Sequence, residues 1–72
     1  MTARLTRSER TVMVLLANGR SQASIADEQG IQRGSVGKHV ENVRKKVGGR
    51  STIHTVALCM AAGLIRGDEV VS

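Results

Sequence analysis

Residues 21 to 47, SQASIADEQGIQRGSVGKHVENVRKKV, constrain the fold more than any other stretch of the chain. Val36, Val40, Val43 and Val47 recur at steps of four, three and four, which is one face of an α-helix. The opposite face carries Gly34, Lys38, Glu41 and Lys45, with Asn42 beside it. Ahead of this helix, Ser21 is placed to cap a shorter one by accepting from backbone N–H groups one turn in. Ile25 and Ala26 give the shorter helix a small apolar face. Between the two stands Gly30, the residue type that adopts left-handed backbone at least cost, so a sharp turn is expected there, with Ile31 tucked back beneath the pair. A short helix, a tight turn and a longer helix anchored by valines, with small and basic groups outward, is what lying in a DNA major groove requires.

The 72 residues make one domain, 1–72, with an ordered core expected over about 5–65. Folding at this size buries only ~60% of the unfolded surface, so extra burial against a partner is valuable. Phe, Tyr and Trp are absent, so the core is aliphatic, and stacking of single-stranded bases on aromatic rings is excluded. The net charge is +5, and its placement says more than its size. Six basic residues and one acid lie between Arg33 and Arg50, so the rest of the chain is neutral in sum. A focused basic surface on a neutral body is the footprint of a polyanion binder. The single cysteine, Cys59, excludes an internal disulfide. No apolar run approaches a membrane span and the N-terminus lacks a signal-peptide core, so a cytoplasmic protein without a membrane partner is expected.

Read in order, Thr6 and Glu9 have the spacing of a capping box, which starts a helix at Arg7 with Val12, Leu15 and Leu16 as its buried stripe. Asn18-Gly19 stops it. A second helix is expected over about 22–28 and a third over about 33–47. The third starts poorly, with Gln32 where serine, threonine or aspartate caps best. Gly34 and Gly37 in its first turns each cost ~1 kcal/mol relative to alanine. They mark either a tolerant helix or a close approach of backbone to a phosphate or base edge. Gly48-Gly49 ends the helix, and Ser51 can cap a fourth over about 52–62. Gly63 closes that one, Leu64-Ile65 can fold back on its end, and residues 66–72 have little to bury. The fourth helix is apolar on two sides. Ile53, Val56, Ala57 and Met60 form a stripe fit for the core, and Leu58, Cys59, Ala61 and Ala62 cover another side. A helix apolar nearly all round needs two partners.

No catalytic residues, cofactor or metal site are expected. The run GIQRGSVGKH fails the Walker phosphate loop twice, with Gln32 for the first glycine and His39 after Lys38, and it lies within a helix pattern. His39 and His54 have no cysteine or carboxylate partners at metal-ligand spacing. Cys59 has no neighbouring base and reads as a small core or interface residue.

From Leu5 to Ile65 the chain resembles the LuxR-type (GerE-like) helix-turn-helix domain of bacterial transcription regulators. The matching stretches are Leu5, Thr6 and Glu9, then LLANGRS at residues 15 to 21, Ile25-Ala26, and Ile31 with Ser35-Val36, His39, Asn42 and Lys46 to Gly48. Arg50-Ser51 and the closing Gly63 to Ile65 complete them. The resemblance implies an all-α, four-helix helix-turn-helix domain whose third helix enters the major groove and whose fourth pairs subunits. The chain departs from the family pattern at Ser8, Ser24, Gln32 and Gly37, where arginine, glutamate, serine and lysine are usual. The family's regulators carry a separate receiver or ligand-binding domain. None fits within 72 residues, so the chain reads either as a stand-alone regulator, which Met1 favours, or as a domain of a longer protein.

The expected function is sequence-specific binding of double-stranded DNA. The residues expected at the DNA are Arg33, Gly34, Ser35, Gly37, Lys38, Glu41, Asn42, Arg44, Lys45 and Lys46, with Lys38 in the groove and Arg44, Lys45 and Lys46 holding phosphates. Glu41 is expected to pair with Lys45 at i+4. A homodimer is expected through Leu58, Cys59, Ala61 and Ala62. The rival reading is an interaction module that binds another regulator or a sigma factor through the fourth helix, with little sequence-specific readout.

Overall fold

Thr6 and Glu9 open the first helix, α1 (Arg7–Ala17), as their spacing predicts: the Thr6 hydroxyl accepts from the Glu9 N–H at 3.1 Å, and the Glu9 carboxylate accepts from the Thr6 N–H at 2.9 Å. In the computed structural model, which describes residues 4–70, three further helices follow: α2 (Gln22–Gln29), α3 (Arg33–Val47) and α4 (Thr52–Ala61). Ser21 and Ser51 cap α2 and α4 by accepting from the Ser24 and His54 N–H groups, whereas Gln32 gives α3 no side-chain cap. Gly30 stands in the left-handed region at φ 66°, and this reversal lets the Ile31 N–H donate back to the Ala26 carbonyl. No strand occurs among the described residues, so the domain is all-α.

The valine face of α3 is the centre of the core. Val36, Val40 and Val43 are buried against α1, α2 and α4, where they meet Val12, Met13, Ile25 and Ile65. Each such aliphatic side chain contributes roughly 1.5–3 kcal/mol by leaving water. The stripe of α1 is shifted from the expected one. Met13 is fully enclosed with Val12, while Leu15 and Leu16 pack at the margin. Ile31 does not tuck beneath the helix pair but stays 38% exposed at its edge.

The fourth helix is turned differently from expectation. Its core face is Thr55 and Cys59, both fully buried, and of the stripe expected there Ile53, Ala57 and Met60 are exposed, Ile53 at 85%, while Val56 is half-buried at the core's margin. Periodicity cannot orient a helix that is apolar all round, so close packing decides. A Cβ at Gly49 would lie 2.2 Å from the Thr55 hydroxyl oxygen, so glycine there is what admits Thr55 to the interior. The Thr55 hydroxyl donates to the Ser51 carbonyl at 2.7 Å, and among the described residues no buried side-chain nitrogen or oxygen lacks a partner. Cys59 therefore belongs to the protomer's own core and not to a dimer contact. Leu58 is half-buried, and Ala61 and Ala62 are exposed.

Residues 66–70 are held in place where little burial was expected. Gly67–Glu69 form a 3-10 turn lying on α1. Arg10 pairs with Glu69 at 2.5 Å, and the Asn18 side chain donates to the Glu69 carbonyl at 2.9 Å. Val71 and Ser72, expected to be loose, lie outside the described residues, as do Met1 to Ala3.

Candidate nucleic-acid interface

With Val36, Val40 and Val43 inward, α3 presents Arg33, Gly34, Ser35, Lys38, Glu41, Asn42 and Lys45 to solvent. Gly37 is placed on a flank instead. It is half-buried beside α2, and a Cβ there would sit 3.8 Å from the Gln22 amide oxygen. That is ordinary contact, and nothing lies within 4 Å of a Cβ at Gly34. The protein's own packing therefore requires glycine at neither position.

Ion pairing divides the cations into two sets. Glu9 pairs with Lys46, Glu28 with Arg20, Glu41 with Arg44, Asp68 with Arg66 and Glu69 with Arg10. Among the described residues this leaves Arg4, Arg7, Arg33, Lys38, Lys45 and Arg50 without an ion pair, against Asp27 alone among the acids. Those six cations and one acid are the whole formal net charge of +5. Three of the six stand on the outward side of α3, and Arg50 follows its end.

Two expected phosphate ligands fall in the paired set. Arg44 donates to both Glu41 oxygens, at 2.9 and 2.5 Å, and to the Gly49 carbonyl at 3.0 Å. It ties off the C-terminal end of α3, where a cation suits the helix dipole. Glu41 thus pairs at i+3 with Arg44 and not at i+4 with Lys45. The Arg44 bonds hold the Glu41 carboxyl below the usual carboxylate range, and Glu41 in turn raises the Arg44 pKa. Lys46 donates to Glu9 at 2.5 Å and to the Arg4 carbonyl at 3.0 Å, so it joins α3 to the start of α1. Burial would raise the pKa of Glu9, but the bonds from Lys46 and Thr6 outweigh it and hold the carboxyl below its ordinary value.

The surface carries two concave regions. One, of about 220 Å³, lies between α1, the turn after α2 and His39 of α3, lined also by Arg7, Ser8, Thr11 and Gln29 over a floor of Val12 and Ile31. Its basic residue Arg7 is 26 positions from the start of α3, and only the packing of α1 across α3 brings them to one side, so no local pattern in the chain points to it. The other, of about 370 Å³, is an apolar groove between α1 and α4, formed by Leu16, Ala17, Ile53, Val56, Ala57 and Met60 with Thr52. Burial raises the pKa of the Cys59 thiol, which suits packing and not reactivity. No three His, Cys, Asp or Glu side chains gather as a metal site among the described residues, and no helix there is long and apolar enough to cross a membrane.

A model of the GerE family, described as bacterial regulatory proteins of the luxR family, matches residues 3–61. No curated protein matches the chain.

Proposed function

Because the chain belongs to the luxR family of bacterial regulatory proteins, whose helix-turn-helix domains are DNA-binding regulatory domains and not enzymes, we propose that it binds double-stranded DNA sequence-specifically as a small transcription regulator. In this reading α3 lies in the major groove. The observation that carries it is the outward face of α3, where Arg33, Lys38 and Lys45 hold no ion pair while the acid among them, Glu41, is engaged by Arg44. Lys38 stands opposite the valines, at the centre of that face, and is the base-reading candidate; a bidentate base contact is worth about 1–3 kcal/mol of discrimination. Lys45, Arg33 and Arg50 are placed for phosphates. Arg44 and Lys46 act within the fold, fixing the end of α3.

The regulator acts as a homodimer in this reading, through the outward side of α4. The patch of Ile53, Val56, Ala57 and Met60 carries no charge and continues onto Leu16 and Ala17, so a two-fold axis brings two identical apolar surfaces together. Two copies of α3 then meet successive major grooves roughly 34–36 Å apart, on an inverted repeat. Selection of bound duplexes from random DNA at controlled salt tests the proposal. An inverted repeat should be enriched, and no enrichment over the starting pool would refute specific readout. A second reading, in which a partner regulator or sigma factor occupies the groove, draws on the 85% exposure of Ile53. DNA binding weakens steeply as salt rises, whereas apolar docking of a protein does not.

A further inference from the structure

The cleft between α1 and the turn after α2 is lined by donor-bearing side chains and one cation. Arg7, Ser8, Gln29 and His39 bring hydrogen-bond donors to it, and none of these side chains has a partner among the described residues. Thr11 also lines it, but its hydroxyl proton is engaged by the Arg7 carbonyl at 3.0 Å. No carboxylate lines the cleft. The nearest ones along the chain are Glu9, turned inward to Lys46 and Thr6, and Glu28, which pairs with Arg20. Converging donors without an acid suit an acceptor with several oxygens.

The place of the cleft identifies that acceptor. Successive residues of an α-helix stand about 100° apart. Around α3, Gly37 lies about 100° to one side of Lys38 and His39 about 100° to the other. Gly37 is the flank that α2 covers, and His39 is the flank that opens on the cleft. A helix with side chains is about 10–12 Å across and the B-DNA major groove about 12 Å wide, so the two flanks of a seated helix face the two phosphate walls. We propose that this cleft seats a DNA phosphate on the wall opposite α2, with Arg7 supplying the charge and Ser8, Gln29 and His39 the further donors. The inference rests on the major-groove reading of α3. It adds to that reading a second anchoring edge, contributed by α1, which fixes the roll of α3 in the groove.

Counting released counterions tests it. Binding to two unrelated short duplexes is titrated between about 50 and 200 mM salt. Arg7→Gln should flatten the slope of log affinity against log salt by about 0.9, the share of one phosphate contact, and do so equally on both duplexes. Ser8→Glu places a carboxylate in the cleft, in the first turn of α1 where an acid favours the helix, so the domain should fold and bind more weakly. Arg66→Gln, which removes a cation already paired with Asp68, should leave the slope unchanged. Circular dichroism establishes that each variant is folded. If Lys45→Gln flattens the slope while Arg7→Gln and Ser8→Glu do not, the phosphate seat is refuted and the groove reading stands. If Lys45→Gln also leaves it unchanged, both are refuted.

Discussion

Lys46 Nζ lies 2.5 Å from Glu9 Oε1 across 37 residues of sequence, and the carboxylate it meets is almost fully buried. This bond locks the start of α1 to the end of α3. Lys46→Met should cost about 1–3 kcal/mol at neutral pH, because the Glu9 charge remains buried without its ammonium. The folded pKa of Glu9 is held below its ordinary value, so the stabilisation is full above the unfolded value of about 4.3 and fades as the pH falls through the lower, folded one. The gap between wild type and Lys46→Met should therefore close in acid. Urea unfolding at a series of pH values measures it, and a gap independent of pH would show that Lys46 acts through packing alone.

Glu41→Gln should strengthen DNA binding. The substitution removes the acid from the outward face of α3, ends the ion pair of Arg44 and leaves at position 41 a single neutral acceptor oxygen in place of two. One more cation then becomes available to phosphates, and the salt dependence should steepen by about 0.9. Weaker binding that is confined to particular sequences would instead identify Glu41 as a reader of a cytosine amino group.

Two glycines should respond in opposite senses. Gly37→Ala meets only ordinary contact with Gln22 and should stabilise the free domain by roughly 0.4–1 kcal/mol. Gly49→Ala would drive a methyl into Thr55, 2.2 Å from its hydroxyl oxygen and 3.1 Å from its Cα, and should destabilise by about 1–3 kcal/mol or more. Thermal unfolding of the two variants decides the matter. Unchanged stability of Gly49→Ala would mean that α4 can move off α3 freely.

Ile53→Glu should abolish self-association without harming the fold, since the side chain is 85% exposed in the single chain. Sedimentation should then give a folded monomer that binds a lone half-site nearly as the wild type does and an inverted repeat less tightly. Cys59→Glu, by contrast, should unfold the domain, because that position is enclosed. Self-association that survives Ile53→Glu would exclude the outward side of α4.

The sequence by itself determined the helices and the outward face of α3. Thr6 with Glu9, Ser21, Ser51, Gly30 and Gly48 are local signals acting over a few residues, and the valines at 36, 40 and 43 leave α3 one way to turn. Where a helix has one apolar face, burial has one solution. The tertiary structure decided the orientation of α4, which is apolar around its circumference and is set by the fit of Thr55 against Gly49 and of Cys59 into the core. It also decided which cations are at liberty. Glu9 finds Lys46, and Glu69 finds Arg10 across 59 residues, only once the helices have packed. Charge falls off over distance in space and not along the chain, so a count of lysines, arginines and acids gives the net charge, but the fold alone assigns it to Arg4, Arg7, Arg33, Lys38, Lys45 and Arg50 against Asp27.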